Sequence, residues 1–465
     1  MASPRTIPLI IAVALLMENI DASVLATALP DIARDFQTDP IHLKLVLTSY
    51  LLALAVFLPA SGWVADRFGA RTVFRWAILV FAAGSIACGM AQGLGGLVAA
   101  RVLQGIGGSM MMPVGRLILL RAVPRAGLVE ALAWLTVPAL LGPVIGPPLG
   151  GYLSTYWDWR WIFWINVPLA VAGFVLVSIK IPDVRAEELR AFDLRGFLLV
   201  GPGLAFFLTG VTLAGLALTS APVILSLTGA GLALIAAYVA HARRVAEPII
   251  DLGLLRLPSF RIAAIAGTLF RVPAGALPFL LPLMLQLGFG MTAFGAGMLT
   301  FISGVGAMLM KPAAQPLLRR WGFKRVLVGN AVVAAVLMAG PGFFTAATPV
   351  ALMMLVLFVG GFSRSLQYTS INAIAYDEVE AARLSQATTF VAVMQQLSGS
   401  IGITLAAMVL ETTGALRGVS STDVGNFPVV FAVITLLSGA SAWAFTRLPR
   451  EAGAGMVRRG DEAAG

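Results

Sequence analysis

Charge and cysteine are what this chain has little of. Only 12% of its 465 residues are Asp, Glu, Lys or Arg, while 59% are hydrophobic. Mean hydropathy is +0.91. A soluble domain of this size needs far more polar surface to cover its core, so the composition argues against one. A single cysteine, Cys88, allows no intrachain disulfide. One cysteine and two histidines make a soft metal site improbable, and no metal or cofactor is expected. No Ser/His/Asp or Cys/His arrangement and no phosphate-cradling loop is present, so no enzyme is expected. The formal charge is +10, but the basic residues sit in short loops rather than on one surface, which speaks against nucleic acid. Arg outnumbers Lys, and Ala and Gly abound, which suggests a bacterial source. Met1–Thr6 is too short and too lightly charged for a cleaved signal, so the first apolar run is expected to be a mature helix.

What the chain has is apolar runs of about 20 residues, each long enough to cross a bilayer. Fourteen spans are predicted, roughly at 7–29, 45–65, 74–94, 96–119, 128–152, 160–181, 196–219, 222–241, 259–288, 292–314, 326–345, 348–370, 386–411 and 426–446. One set of connecting loops carries Arg67, Arg71, Arg75, Arg121, Arg125, Arg185, Arg190, Arg195, Arg243, Arg244, Arg256, Arg319, Arg320, Lys324 and Arg325, and the tail adds Arg450, Arg458 and Arg459. The opposite set holds little beyond Arg34, Lys44, Arg160 and Arg417. The bias toward basic loops inside predicts two cytoplasmic termini. The net acidic loop 375–385 fits that orientation poorly.

Arg67-Phe-Gly69-Ala-Arg71 returns as Arg320-Trp-Gly322-Phe-Lys324, offset by 253 residues and again after an even-numbered span. Two repeated halves of six helices would produce this, with an additional central pair near 196–241. The expected division is residues 1–181 as an N-terminal bundle, 182–258 as two extra helices with linkers, 259–450 as a C-terminal bundle and 451–465 as a disordered cytoplasmic tail.

Ionisable residues inside apolar spans are costly unless paired or wetted, so they mark function. Glu18 and Asp21 stand at i, i+3 on one face of the first helix. Glu18 is about eleven residues from either end of its span, near mid-membrane at ~1.5 Å per residue. Asp21 lies at a depth compatible with Arg101 in the fourth span. A carboxylate that can lose water or its cationic partner has a pKa that moves with conformation, which is what proton coupling needs. Asp21 is therefore the favoured proton-coupling group, with Arg101 as the cation that tunes it and Glu18 as a further candidate, and a static buried ion pair is the competing reading. The repeat offset maps Glu18 onto Arg271, so an acid and a base take pseudo-equivalent positions. Arg364 lies deep in its span, followed by Gln367. Arg116 and Lys311 sit near helix ends, where snorkelling explains them as well as binding does. Gln395 either lines a binding site or holds helices together.

Five segments carry a resemblance. The first span holds Asp21, Ser23, Thr27, Ala28 and Pro30, with Ala26 at a position discussed below. The loop Gly62-Trp-Val-Ala-Asp66-Arg67-Phe-Gly69-Ala-Arg71 follows the second span. Arg101-Val-Leu-Gln104-Gly105-Ile-Gly107-Gly108 lies in the fourth. Gly142-Pro143-Val-Ile-Gly146-Pro147-Pro148-Leu-Gly150-Gly151 lies in the fifth, and Trp157-Asp158-Trp159-Arg160 leads to Asn166 and Pro168. In order and position these resemble the major facilitator superfamily, specifically its fourteen-helix drug:proton antiporter branch. Ala26 stands where that branch usually has Asn.

The resemblance implies an all-α membrane protein with two pseudo-symmetric six-helix bundles plus two central helices. It implies that Gly62, Asp66, Arg67, Gly69 and Arg71 form a latch holding the outward-open state. Asp66, at a helix end beside a basic loop, can accept from a helix N-terminus or pair with Arg. Arg319 takes its place in the second half, so gating should be asymmetric. Gly142, Pro143 and Gly146 are expected to bend a helix and permit a tight seal between halves.

Export of lipophilic drugs against protons, by a monomer in a bacterial inner membrane, is the activity the branch implies. Glu18, Arg271, Arg364, Gln367, Gln395 and Arg116 are its substrate-binding candidates, with Glu18 and Arg271 facing a central cavity. Cationic side chains at depth outnumber acidic ones, which instead suits an organic anion. A lipid scramblase or a non-transporting sensor is a further alternative.

Overall fold

The computed structural model describes residues 6–122, 128–182, 191–214, 219–380, 383–449 and 451–453, with backbone alone for Thr6 and 128–140. Arg125, Arg185, Arg190, Arg450, Arg458, Arg459 and all but three residues of the tail lie outside them. All regular structure among the described residues is helical.

The chain opens with α1 (Thr6–Asp35), α2 (Lys44–Phe57), α3 (Ser61–Phe68), α4 (Ala70–Gly89) and α5 (Leu94–Ala122). It continues with α6 (Leu128–Tyr156), the short α7 (Trp161–Trp164), α8 (Asn166–Lys180), α9 (Leu194–Leu213) and α10 (Ala221–Ala242). The remainder is α11 (Pro258–Leu283), α12 (Ala293–Leu309), α13 (Lys311–Ala339), α14 (Val350–Ile374), α15 (Leu384–Arg417) and α16 (Phe427–Phe445). Among the described residues, twelve helical stretches are long and apolar enough to cross a membrane. The 29-residue α6 and the 17-residue α12 occupy the other two predicted positions, completing fourteen.

Some edges differ from the sequence expectation. The span expected at 292–314 ends at Leu309, and α13 starts two residues later. The second charged motif is therefore no loop but a kink inside α13, at Gly322 with φ 74°. Lys44, expected in a loop, begins α2 and is fully buried.

The contacts divide the chain into two compact units. The first comprises Met1–Leu213, Leu218–Tyr238 and Met291–Met298; the second comprises Ala214–Ala217, Val239–Gly290 and Leu299–Gly465. The extra helix α9 and most of α10 thus group with the first. Shifting the bounds of α1, α4, α5 and α6 by 253 residues lands close to those of α11, the second part of α13, α14 and α15. Gly69, φ 88°, and Gly322 share the positive φ that side-chain-bearing residues avoid, so the repeat reaches the backbone geometry.

Small residues set the packing, as expected where lipid offers no hydrophobic drive between helices. A Cβ on Gly105 would lie 2.6 Å from that of Ala53 on α2, and one on Gly107 would lie 2.5 Å from the Phe81 nitrogen on α4. The glycines of α5 therefore let two neighbours approach at backbone distance. In the second unit Gly275 of α11 meets Gly399 of α15 in the same way. Two acidic residues of the loop expected at 375–385 are engaged. Asp377 accepts from the Gly453 nitrogen and Glu378 from the Ser259 nitrogen, at 2.7 and 2.9 Å, and Arg383 pairs with Asp251.

Candidate functional site

In the first unit, five helices converge on one buried polar network. Asp21 of α1 is 2% exposed and Arg101 of α5 1%. Arg101 Nη1 donates to Asp21 Oδ2 at 2.6 Å and to Gln104 Oε1 at 2.6 Å. Asp21 Oδ1 accepts from Gln104 Nε2 at 2.7 Å and from Asn166 Nδ2 of α8 at 2.9 Å. Both amides also reach the Ser85 hydroxyl of α4, at 2.7 and 3.1 Å. Arg101 lies 4.2 Å over the Tyr50 ring of α2. Three donors converge on the Asp21 carboxylate, so its acceptor positions are engaged and Arg101 has a carboxylate beside it.

Glu18 lies one turn earlier on α1 and differs sharply. It is half-buried, yet its Oε2 is enclosed and has no hydrogen-bond partner. The Tyr50 hydroxyl is likewise enclosed and unpartnered. Between the two carboxylates, Glu18 is the one with free acceptor capacity, and Asp21 is the one already committed.

The loop motif is engaged inside the first unit. Asp66 at the end of α3 pairs with Arg121 at the end of α5, 2.6 Å apart, with both side chains about a quarter exposed. Arg71 donates to the Ser178 carbonyl of α8, while Gly62 and Arg67 are exposed. Gly142, Gly146 and Gly150 all face α1: added Cβ atoms would meet Asn19, Ser23 and the Val24 carbonyl, the last at 2.3 Å. Their close approach is made within the first unit, and Pro143 follows the first of them into α6. Ser23 Oγ uses it to reach the Gly142 carbonyl at 3.1 Å.

In the second unit, Arg271 of α11 is 2% exposed and donates to Asn372 Oδ1 of α14 at 2.7 Å. Its Nε is enclosed without a partner. Arg364 of α14 bonds the Ser303 hydroxyl of α12. Gln367 is fully buried, its amide donating to the Leu327 carbonyl at 3.0 Å and accepting from Asn330 at 2.8 Å. Both ends of that side chain help tie α14 to α13. Gln395 and Arg116 are exposed, on α15 and α5. Lys311 reaches Thr369 at 3.0 Å.

Tyr50, Ser85 and Asn330 escaped the sequence reading. Their signal was available: each is a polar residue inside an apolar run, at the depth of another polar residue on a neighbouring span. Glu411 in α15, a carboxylate with an enclosed Oε2, was also missed.

Comparison with known proteins sharpens the picture. A family model described as "Major Facilitator Superfamily" matches residues 11–277 and 262–462. The chain is 37% identical over 466 residues to the "Putative multidrug resistance protein MdtD" of Klebsiella pneumoniae (strain 342), covering 97% of this chain and 96% of that one. It is 35% identical over 459 residues to the protein of the same name from Salmonella heidelberg (strain SL476), covering 96% of each. Among solved structures, a D-xylose-proton symporter superposes with a TM-score of 0.69 at 15% identity, covering 96% of this chain and 98% of that one.

Proposed function

The chain belongs to the major facilitator superfamily, and from that premise we propose that it is a fourteen-helix drug:proton antiporter exporting small amphipathic compounds by alternating access. It is a multi-pass membrane transporter of small molecules and not an enzyme. The finer reading assigns it to a bacterial inner membrane, with both termini cytoplasmic and the monomer as the working unit. The multidrug-resistance names of its relatives support the cargo class.

The observation that carries proton coupling is the contrast between two carboxylates on one helix. Asp21 accepts three hydrogen bonds in a closed network, whereas Glu18 has an enclosed oxygen with nothing bound to it. A group that exchanges a proton during a cycle needs an unfilled site, and a group that anchors helices needs filled ones. Glu18 is thus the proton carrier, and the Asp21–Arg101 network is the frame that holds its helix. The Asp66–Arg121 pair, with Gly62, Arg67, Gly69 and Arg71 around it, serves as the latch. It sits at helix ends where a partly exposed ion pair can break and re-form.

The test is substrate-dependent proton movement in proteoliposomes loaded with a pH-sensitive dye. Ethidium added to wild-type vesicles is expected to move protons against its own direction. No proton response, with lipid moving between leaflets instead, would mark a scramblase. A second reading, export of organic anions, is favoured by one observation: among the described residues no carboxylate pairs with Arg271 or Arg364.

A further inference from the structure

Arg271 and Arg364 present an unusual pattern. Each guanidinium folds back along its own helix over a glycine one turn earlier. A Cβ on Gly267 would sit 3.3 Å from Arg271 Nη1, and one on Gly360 would sit 3.5 Å from Arg364 Nη1. The spacing Gly-x-x-x-Arg therefore makes room for a cation against the backbone, twice. Neither arginine has a carboxylate partner among the described residues; their hydrogen bonds go to Asn372 and Ser303. A buried guanidinium left without an anion is strongly disfavoured, so a cation maintained in this way implies an anion that comes and goes.

The surroundings specify where that anion meets the protein. Arg364, Tyr368 and Asn372 stand at i, i+4 and i+8, one stripe along α14, and all three are half-buried. Asn372 touches Arg271 directly, and Tyr368 lies within electrostatic range of both arginines. The Phe270 ring holds Tyr368 edge-on at 5.7 Å. Arg271 also borders a cavity of about 10 Å³ lined by Phe260, Phe390 and Met394, room for no more than about one water. The ligand thus approaches along the α14 stripe.

We propose that Arg271, Arg364, Tyr368 and Asn372 form a binding site for the carboxylate group of a small organic anion. A planar two-oxygen acceptor matches the guanidinium fork, and the enclosed Arg271 Nε is a donor that no protein group satisfies. Tyr368 and Asn372 supply neutral donors at the rim. The site deepens the organic-anion reading of the cargo, and it rests on the chain being a transporter only for its purpose, not for its existence.

The experiment measures binding without transport. Purified wild-type protein in detergent is titrated with succinate and with propane-1,2,3-tricarboxylate by isothermal calorimetry, with inorganic phosphate and sodium chloride as comparisons. Carboxylates are expected to bind and to outcompete phosphate. Arg271→Gln is expected to weaken succinate by at least about tenfold. Tyr368→Phe removes only one hydroxyl, guards against a variant that does not fold, and is expected to weaken succinate by about threefold. No carboxylate binding to wild type, equal binding of phosphate, or affinity unchanged in both variants would overturn the proposal. Ethidium-driven proton flux in the same preparation separates the two claims. Flux without carboxylate binding removes this site and leaves the antiporter standing, and absence of both removes both.

Discussion

Replacing Asp21 by Ala probes the frame of the first unit. The substitution removes what is, among the described residues, the only carboxylate paired with Arg101, a side chain that is 1% exposed. Arg101 would retain the Gln104 oxygen at 2.6 Å, the Val46 carbonyl at 3.4 Å and the Tyr50 ring at 4.2 Å, none of them an anion. Gln104 and Asn166 would each lose an acceptor as well. Breaking a buried ion pair by deleting one partner costs about 3–5 kcal/mol, because the other charge is stranded. Deleting both is far milder, so Asp21→Ala with Arg101→Met should recover most of the loss. Equilibrium unfolding in mixed micelles, followed by circular dichroism, measures both singles and the double. A loss below about 1 kcal/mol for Asp21→Ala, the range of an exposed pair, would refute the argument that this network locks five helices. So would a double variant no better than the worse single.

Gly150→Ala would push a methyl to 2.3 Å from the Val24 carbonyl and is expected to cost about 1–3 kcal/mol in the same assay; Gly439→Ala, with nothing within 4 Å, should be neutral. Gly69→Ala and Gly322→Ala, at φ 88° and 74°, should each destabilise by about 1–3 kcal/mol, and equal costs would tie the two repeats together. Asp66→Asn, acting on a pair with both side chains about a quarter exposed, should cost under about 1 kcal/mol in stability while slowing ethidium export several-fold; unchanged export would remove the latch role.

The fold was legible because membrane crossing leaves a coarse mark: runs of about 20 apolar residues separated by charge. Where helices follow one another without an intervening loop the mark blurs, so the break between Leu309 and Lys311 was not legible while the one at Gly322 was marked by its charged motif. The repeat was readable from one five-residue match because the positive-φ glycine at its centre tolerates little else. Side-chain engagement was less legible. Spacing placed Asp21 and Glu18 on one face, but nothing in the sequence says that Gln104 and Asn166 fill the acceptors of one and leave the other bare. Polar residues in apolar helices serve both binding and helix–helix bonding, and the sequence does not show that Gln367 bonds Leu327 and Asn330 of the neighbouring helix.

The central claim is that Glu18 carries the coupled proton while Asp21 does not. Its most direct test is ethidium-driven proton flux in proteoliposomes of Glu18→Gln, measured beside wild type and Asp21→Asn at matched protein content. The account predicts that Glu18→Gln binds ethidium but moves no protons, while the Asp21→Asn protein that inserts still couples. Flux persisting in Glu18→Gln and vanishing in a correctly inserted Asp21→Asn would contradict it.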